Sequence, residues 1–300
     1  MKKKTYLFAL MAMALILGSC SDNENGIGGE TSKYITVSTS IGNMTRVATD
    51  EKGGQTFEEG DEISVYAWTG DATVAPETRE RVVNNAINKL TNGSWISTPQ
   101  MLWKNNRDKH YFIGVYPTAV ISDLSAGEYT FDVNKQTESD LLVAVNKDGL
   151  SYNVDEQQPV PLTFTHVMAK LVVNLTYKNQ WGGIPTVEKV VVGNAAKEAT
   201  INYLTKVVTP STTAKEDFSL PEITENTKYV SVIIPQEEVT QLTIVIGGKN
   251  FVYDNGTPFK LESGKITTVN LEVGRDEIKL GDVKITNWED GSTFSGEALN

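Results

Sequence analysis

Apolar and polar residues alternate along most of the chain after residue 33. Successive side chains of an extended strand point to opposite faces, so a period of two predicts half-buried β-strands. The alternation is clearest in residues 35–41, 63–68, 111–115, 171–177, 230–234, 242–246 and 269–273. Turn-forming pairs separate such stretches: Asn92-Gly93, Ala126-Gly127, Asp148-Gly149, Gly182-Gly183, Gly247-Gly248 and Asn255-Gly256. The pattern therefore predicts an all-β protein.

Two β-hairpins are predicted in detail. Residues 81–90 and 94–97 flank Thr91-Asn92-Gly93, and residues 242–246 and 251–253 flank a turn over residues 247–250. Apolar positions in residues 79–90 also fit a helix, but the neighbouring asparagines and the Asn-Gly turn make a strand at least as favourable.

The number of strands sets the domain organisation. About fourteen short strands exceed what one ordinary β-sandwich holds. A polar stretch at residues 155–158 ends at Pro159 and offers the best boundary. We therefore predict two tandem β-sandwich domains, at residues 34–157 and 158–300.

The first residues have the composition of a bacterial lipoprotein signal peptide. Residues 1–4 are Met-Lys-Lys-Lys, and residues 6–17 form an apolar segment of about a dozen residues, shorter than the ~20 needed to span a bilayer. Leu-Gly-Ser-Cys at residues 17–20 resembles a lipobox, and Cys20 is the single cysteine of the chain. We expect residues 1–19 to be removed and Cys20 to carry lipid, including palmitate, that anchors the protein to the outer membrane.

Residues 20–33 are predicted to be a flexible tether, because glycine, asparagine and acidic residues bury too little apolar surface to order a chain. Its Ser-Asp start also resembles the surface-export signal of Bacteroidetes lipoproteins, although a plain solvated linker has the same composition. Together with the lipid anchor, this signal predicts that the protein is displayed at the cell surface.

Removal of the signal peptide leaves 24 basic and 38 acidic residues, so the net charge changes from −11 to −14.

Composition also narrows the chemistry. The acidic excess argues against a nucleic-acid partner, which requires a basic surface. One cysteine and two histidines leave little for a metal centre, and motifs of hydrolases, metalloproteases and nucleotide-binding loops do not occur. We expect no enzyme activity, no cofactor and no metal, with His166 packed in the interior and His110 exposed.

Several sequence blocks resemble the fimbrillin-type lipoproteins of Bacteroidetes, and together they extend over nearly the whole chain. In chain order they are residues 43–46 (Asn-Met-Thr-Arg), 57–66 (Phe-Glu-Glu-Gly-Asp-Glu-Ile-Ser-Val-Tyr), Trp103, 111–117 (Tyr-Phe-Ile-Gly-Val-Tyr-Pro), 140–144 (Asp-Leu-Leu-Val-Ala), 161–171 (Pro-Leu-Thr-Phe-Thr-His-Val-Met-Ala-Lys-Leu) and 285–291 (Ile-Thr-Asn-Trp-Glu-Asp-Gly). The resemblance implies two transthyretin-like β-sandwiches and a role as a fimbrial (pilus) subunit or pilus-associated adhesin. Its partners would be other fimbrial subunits.

The resemblance further implies assembly by donor-strand exchange. A surface protease would cut after Arg46, with Lys52 as the alternative site, and the first strand at residues 34–41 would be lost with its core residues Ile35, Val37 and Ile41. A strand from another subunit would fill the groove. If Arg46 is a turn residue that is never cut, the protein is an anchor or a monomeric surface lipoprotein.

The candidate donor strand is residues 277–288. Its apolar residues are Ile278, Leu280, Val283, Ile285 and Trp288, with a change of phase at Gly281-Asp282 that predicts a bulge. The alternative is that this segment completes its own second domain.

A second function is also compatible with the sequence. The protein would then be a non-polymerising surface lipoprotein that binds glycans or a host or bacterial ligand. The residues that could stack on a sugar are Trp68, Trp95, Trp103, Trp181 and Trp288.

Overall fold

The structure is a computed structural model that describes residues 33–42, 56–153 and 158–288. These residues form nineteen strands and two short 3-10 helices, at Thr78–Glu80 and Asn179–Trp181. The strands of the first half are β1 (Val37–Ile41), β2 (Glu62–Thr69), β3 (Val83–Thr91), β4 (Ser94–Thr98), β5 (His110–Tyr116), β6 (Gly127–Thr130), β7 (Leu142–Leu150) and β8 (Val160–His166). Those of the second half are β9 (Ala169–Tyr177), β10 (Val187–Ala196), β11 (Glu198–Asn202), β12 (Val207–Pro210), β13 (Lys215–Ser219), β14 (Glu222–Thr224), β15 (Lys228–Ile233), β16 (Gln236–Ile246), β17 (Lys249–Leu261), β18 (Lys265–Val273) and β19 (Ile278–Asn287).

The strands are arranged in four sheets. A seven-stranded sheet has the order β1-β8-β7-β5-β2-β3-β4, so β1 and β4 are its two edges. A five-stranded sheet has the order β14-β15-β9-β18-β19, and a four-stranded sheet the order β13-β10-β16-β17. A three-stranded sheet, β12-β11-β6, joins a strand of the first half to two of the second. The all-β prediction is confirmed, and no helix in the described parts of the chain is long and apolar enough to cross a membrane.

Two hydrophobic cores lie on opposite faces of the seven-stranded sheet. In β2, Ile63, Val65 and Ala67 belong to the smaller core, whereas Tyr66 and Trp68 belong to the larger one. The prediction of a half-buried strand is therefore wrong for β2, which is covered on both sides. The alternation was correct, but its second set of side chains is also largely apolar, so both faces are buried.

The larger core continues into the second half of the chain and includes residues of β9, β10, β16 and β18. The pairing of β6 with β11 adds a direct hydrogen-bonded link between the halves. The described residues accordingly fall within one compact unit.

The predicted boundary at 157/158 does not coincide with a change of sheet. β8 begins after Pro159 and pairs with both β1 and β7, so it belongs to the sheet of the first half. The chain leaves that sheet at Val167 and Met168 and continues into β9 of the five-stranded sheet. The polar stretch thus precedes a strand of the same sheet, and the division into two domains stays a prediction.

Both predicted hairpins are present. β3 and β4 flank Asn92-Gly93, and β16 and β17 flank Gly247-Gly248. All four turn residues have positive φ, as two-residue hairpin turns require. Residues 83–91 form a strand, and the helical alternative is confined to the single 3-10 turn that precedes it.

Candidate functional site

The first strand, β1, forms one edge of the seven-stranded sheet. It lies parallel to β8, with register from Val37–Val160 to Ile41–Phe164. Backbone hydrogen bonds extend the contact at both ends: the Val160 N–H donates to the Thr36 carbonyl, and the Gly42 N–H donates to the Phe164 carbonyl, both at 2.8 Å. Because β8 is the neighbour of β1 in this sheet, loss of β1 would expose the hydrogen-bonding edge of β8.

Residues 35–41 comprise β1 and the two residues before it, and their side chains alternate between the core and solvent. Ile35 and Val37 are 2% and 6% exposed, and Thr39 and Ile41 are half-buried. Thr36, Ser38 and Ser40 point to solvent. The predicted core residues Ile35 and Val37 are therefore buried, whereas Ile41 lies where the smaller core meets the surface.

The surface under β1 is apolar and aromatic. Val160, Leu162 and Phe164 of β8 are buried in the smaller core. Phe57 packs edge-on against Phe164 at 5.1 Å and against Trp95 at 5.3 Å, measured between ring centroids. These residues form the floor of what we call the β1 groove. Phe57 and Trp95 were not predicted to belong to this site, although Phe57 falls in a predicted strand entry and Trp95 in a predicted hairpin.

A glycine permits β5 to approach this floor. A Cβ atom built on Gly114 would lie 2.6 Å from Cζ of Phe164 and 3.1 Å from Cδ1 of Leu162. Such distances are too short for carbon atoms, so any larger residue at position 114 would displace the groove side chains.

A cleft separates β1 from β4, the other edge of the same sheet. It has a volume of about 770 Å³ and is lined by residues of both edges together with Phe57 and Leu90. One hydrogen bond bridges it, from the Trp95 Nε1–H to Oγ1 of Thr39, at 3.0 Å. Backbone pairing joins the same two regions just outside the strands, where the Ile35 N–H donates to the Met101 carbonyl at 2.9 Å and the Trp103 N–H donates to the Lys33 carbonyl at 3.0 Å.

The candidate donor segment forms β19, at the edge of the five-stranded sheet. It pairs antiparallel with β18, and the register shifts at Gly281, where Asn270 pairs with Asp282 but Leu271 pairs with Leu280. The predicted bulge is thus observed. In this state the segment completes its own sheet, which is the second of the two alternatives; a role as donor requires that it leave β18.

β19 pairs with β18 along its length, but its side chains are buried mainly toward its two ends. Ile278 and Leu280 pack against the larger core, and Trp288, directly after the strand, is buried. Between them Val283 and Ile285 remain 37% and 38% exposed. A strand edge with half-exposed aliphatic side chains is suited to a second partner.

Trp288 is fixed by a polar and aromatic cluster. Its ring stacks on His166 with centroids 4.0 Å apart and planes 5° apart, and Nζ of Lys170 lies 5.3 Å from the ring centroid. Nδ1 of His166 lies 2.7 Å from a carboxylate oxygen of Asp140. Burial lowers the pKa of Lys170, and the nearby Asp140 partly opposes this shift. The expected packing role of His166 agrees with these contacts.

The expectation for His110 is wrong, because the residue is buried. It begins β5, where the backbone turns its ring inward against Trp103. Nε2 accepts a hydrogen bond from the Lys104 N–H at 3.1 Å, and Nδ1 lies 3.1 Å from the Asp108 carbonyl. Burial lowers its pKa, which favours the neutral ring. The charged residues around it in sequence had indicated an exposed turn.

Other predicted residues are distributed as follows. Cys20, Arg46 and Lys52 lie outside the described residues. Trp68 and Trp288 are buried, so their faces are closed to a sugar, and Trp95, Trp103 and Trp181 are half-buried. Within residues 33–42, 56–153 and 158–288, no three His, Cys, Asp or Glu side chains are grouped so as to hold a metal ion.

Comparison with solved structures supports the fold. A crystal structure provisionally described as a cell adhesion protein from Bacteroides uniformis superimposes with a TM-score of 0.63 at 19% identity, covering 86% of this chain and 100% of that one. A similarly described protein from Bacteroides ovatus gives 0.62 at 17% identity, with coverages of 85% and 98%. A fimbrial protein from Bacteroides vulgatus gives 0.51 at 12% identity, with coverages of 84% and 99%.

Comparison of sequences identifies the family. A Bacteroides uniformis protein provisionally described as fimbrium subunit Fim1C is 26% identical over 318 aligned residues, which cover 97% of each chain. The sequence model of the fimbrillin-like family matches residues 45–288, from just after β1 to the residue that follows β19. Since this match extends over well more than half of the protein, the chain belongs to the fimbrillin-like family.

Proposed function

We propose that the chain is a fimbrial subunit that is exported as a lipoprotein, loses its first strand by proteolysis, and assembles by donor-strand exchange. Membership of the fimbrillin-like family supports a role in fimbriae. The observation that carries the finer proposal is the state of β1, an edge strand that fills an apolar groove through Ile35 and Val37.

Removal of β1 has two energetic consequences. Each buried aliphatic side chain of the strand contributes about 1.5–3 kcal/mol through burial, and this contribution is lost with the strand. The edge of β8 also loses its backbone partners, and Val160, Leu162 and Phe164 lose their cover. After this loss, the unpaired backbone edge of β8 and the empty side-chain pockets beside it can bind an added strand from another chain.

The order of features along the chain connects anchoring to assembly. Cys20 and β1 both precede Arg46, so a cut after Arg46 separates the lipid site and the first strand from the rest of the subunit. One cleavage would release the subunit from its own anchor and open its groove at the same time.

β19 is the proposed donor. As an edge strand it can leave β18 without disturbing a second neighbour in its sheet, and Val283 and Ile285 would gain burial in the groove of another subunit. Because the donor and groove are different surfaces, the contact is head-to-tail, and it generates an open filament when the rotation between subunits does not close a ring.

Cleavage of the purified mature chain with a trypsin-like protease tests the proposal. We expect a cut after Arg46, followed by ladders of oligomers that resist SDS without heating, because each cut subunit then carries both a groove and a donor. The double variant Arg46→Ala/Lys52→Ala should remain uncut between β1 and β2 and monomeric, whereas Arg107→Ala, in an exposed loop, should behave as wild type. A chain that stays monomeric after the cut would contradict strand exchange.

Replacement of Cys20 tests the anchor separately. Cys20→Ala should move the protein from the outer-membrane fraction to the soluble fraction, because no lipid can be attached and a single segment of this length does not span the bilayer. Ser21→Ala serves as the control and should leave fractionation unchanged. Membrane recovery of Cys20→Ala equal to that of wild type would rule out the lipid anchor.

A further inference from the structure

Trp95 lies beside the β1 groove and donates a hydrogen bond to the strand that occupies it, so this contact depends on the side chain which that strand presents. The residue lies on β4, and its half-buried ring packs edge-on against Phe57 at the groove floor. Its Nε1–H crosses the cleft and donates to Oγ1 of Thr39 at 3.0 Å. The hydrogen bond therefore joins the wall of the groove to its occupant, not to another part of the wall.

Thr39 occupies a defined position in the inward series formed by β1 and the two residues before it. The inward residues are Ile35, Val37, Thr39 and Ile41, at alternate positions. The first two are deeply buried and apolar, the third is a half-buried hydrogen-bond acceptor, and the fourth is half-buried. Any strand that replaces β1 in the same register presents its own side chains at these positions.

Loss of the acceptor is costly because the donor remains in a partly desolvated site. A buried polar group that loses its partner still bears the free-energy cost of desolvation. This cost is larger than the net free energy gained from an ordinary hydrogen bond. Sites built to hydrogen-bond a ligand group therefore reject ligands that lack it more strongly than they reject a missing methylene group.

We infer that Trp95 is a specificity-determining residue of the groove: it selects an incoming strand with two apolar inward side chains followed, two residues later, by a hydrogen-bond acceptor. This inference rests on the strand exchange proposed above and adds the register of the donor. A strand displaced by one residue presents its other face, and one displaced by two places an apolar side chain against the indole N–H.

β19 contains this series. Val283, Ile285 and Asn287 follow one another at alternate positions, and the side-chain oxygen of Asn287 supplies the acceptor. Ile278, Leu280 and Asp282 repeat the pattern, but Ile278 and Leu280 already pack against the larger core. Val283 and Ile285 are more than a third exposed and thus gain more by transfer. We therefore assign Val283 to the pocket of Ile35, Ile285 to that of Val37, and Asn287 to the position of Thr39.

Peptide exchange into the cut protein tests this assignment. A site for a sequence-specific protease is placed within residues 43–55 of the full mature chain, so that cleavage leaves the β1 fragment bound without a covalent link. Fluorescent peptides of residues 34–41 and 281–288 are then added in excess, and their affinities are measured by anisotropy. Each is compared with a nearly isosteric variant that lacks the acceptor, Thr39→Val or Asn287→Leu.

We expect each acceptor-containing peptide to bind about tenfold more tightly than its variant. In a Trp95→Phe chain, which keeps the aromatic ring but has no N–H, the difference should fall below about twofold. The comparison on the wild-type chain stands even if the Trp95 variant does not fold. Equal affinities of the paired peptides for the wild-type chain would overturn the role of Trp95, whereas absence of binding by every peptide would overturn strand exchange itself.

Discussion

Replacement of Phe164 by alanine is expected to lower the free energy of unfolding by about 3–5 kcal/mol, the range for removing a fully buried phenylalanine. The ring is completely buried and contacts Phe57 edge-on. It also fills the space left by the missing side chain of Gly114. Because the backbone of β8 is fixed between β1 and β7, the surroundings cannot collapse into the cavity, which places the cost toward the upper part of the range.

Urea unfolding of the full mature chain measures this loss. The midpoint should fall while the slope with urea concentration stays constant, since the surface exposed on unfolding changes little. Thr163→Ala is the control, because Thr163 is the exposed neighbour on the same strand; it loses an exposed hydrogen bond accepted from Ser40 at 3.2 Å, so its effect should stay within about 1 kcal/mol. A loss below about 1 kcal/mol for Phe164→Ala would show that the groove floor is not tightly packed.

The same substitution separates stability from assembly. Phe164 lies opposite Ile41 in the register of β1 on β8. Its removal leaves the backbone edge of β8 available but deepens a pocket that no donor side chain fills. After cleavage, Phe164→Ala subunits should therefore form oligomers that dissociate in SDS more readily than those of wild type.

Local patterns predicted the strands, because alternation and turn chemistry act over a few residues. The hairpin of β3 and β4 is specified by Asn92 and Gly93, whose positive φ angles suit a two-residue turn. The bulge at Gly281 was visible as a change of phase. In both cases the physical cause lies within the segment itself.

Long-range pairing could not be read from those patterns. β1 and β8 are separated by more than a hundred residues, and alternation reveals neither the partner of a strand nor a parallel orientation. The double burial of β2 likewise depends on a second core on its far side. Ser64 illustrates this: its polar side chain is buried, and it accepts a hydrogen bond from the Ala119 N–H at 3.0 Å.

The site was predicted only in part for the same reason. Ile35, Val37 and Ile41 were named as core residues of the first strand from the alternation together with the family resemblance; Ile35 and Val37 are buried, whereas Ile41 is half-buried. The contribution of Trp95 depends on the curl of the sheet, which brings its two edges together and joins residues 56 positions apart. Sequence spacing within β4 carries no sign of that contact.

Replacement of Trp288 by alanine is expected to release the end of β19. The residue stacks on His166, lies near Lys170, and donates its backbone N–H to the Gly264 carbonyl at 3.1 Å. Removal of a buried tryptophan costs about 3 kcal/mol or more. Because Trp288 lies directly after an edge strand, we expect the substitution mainly to lower the free energy needed to open β19. Proteolytic cutting at Lys279 and Lys284 should accelerate roughly tenfold or more. Trp288→Phe, which retains a stacked ring, should show a smaller increase.

The effect of Trp288→Ala on assembly distinguishes the two roles of residues 278–288. If β19 is the donor, opening precedes insertion, and the proposed register uses Val283, Ile285 and Asn287 on the face opposite Trp288. The variant should then polymerise faster after cleavage, because opening is easier and the inserted state is unchanged. If the segment instead completes its own sheet permanently, the variant loses stability and assembles no faster. The direction of the rate change, followed as the growth of SDS-resistant oligomers after the cut, therefore decides between a donor strand and a structural one.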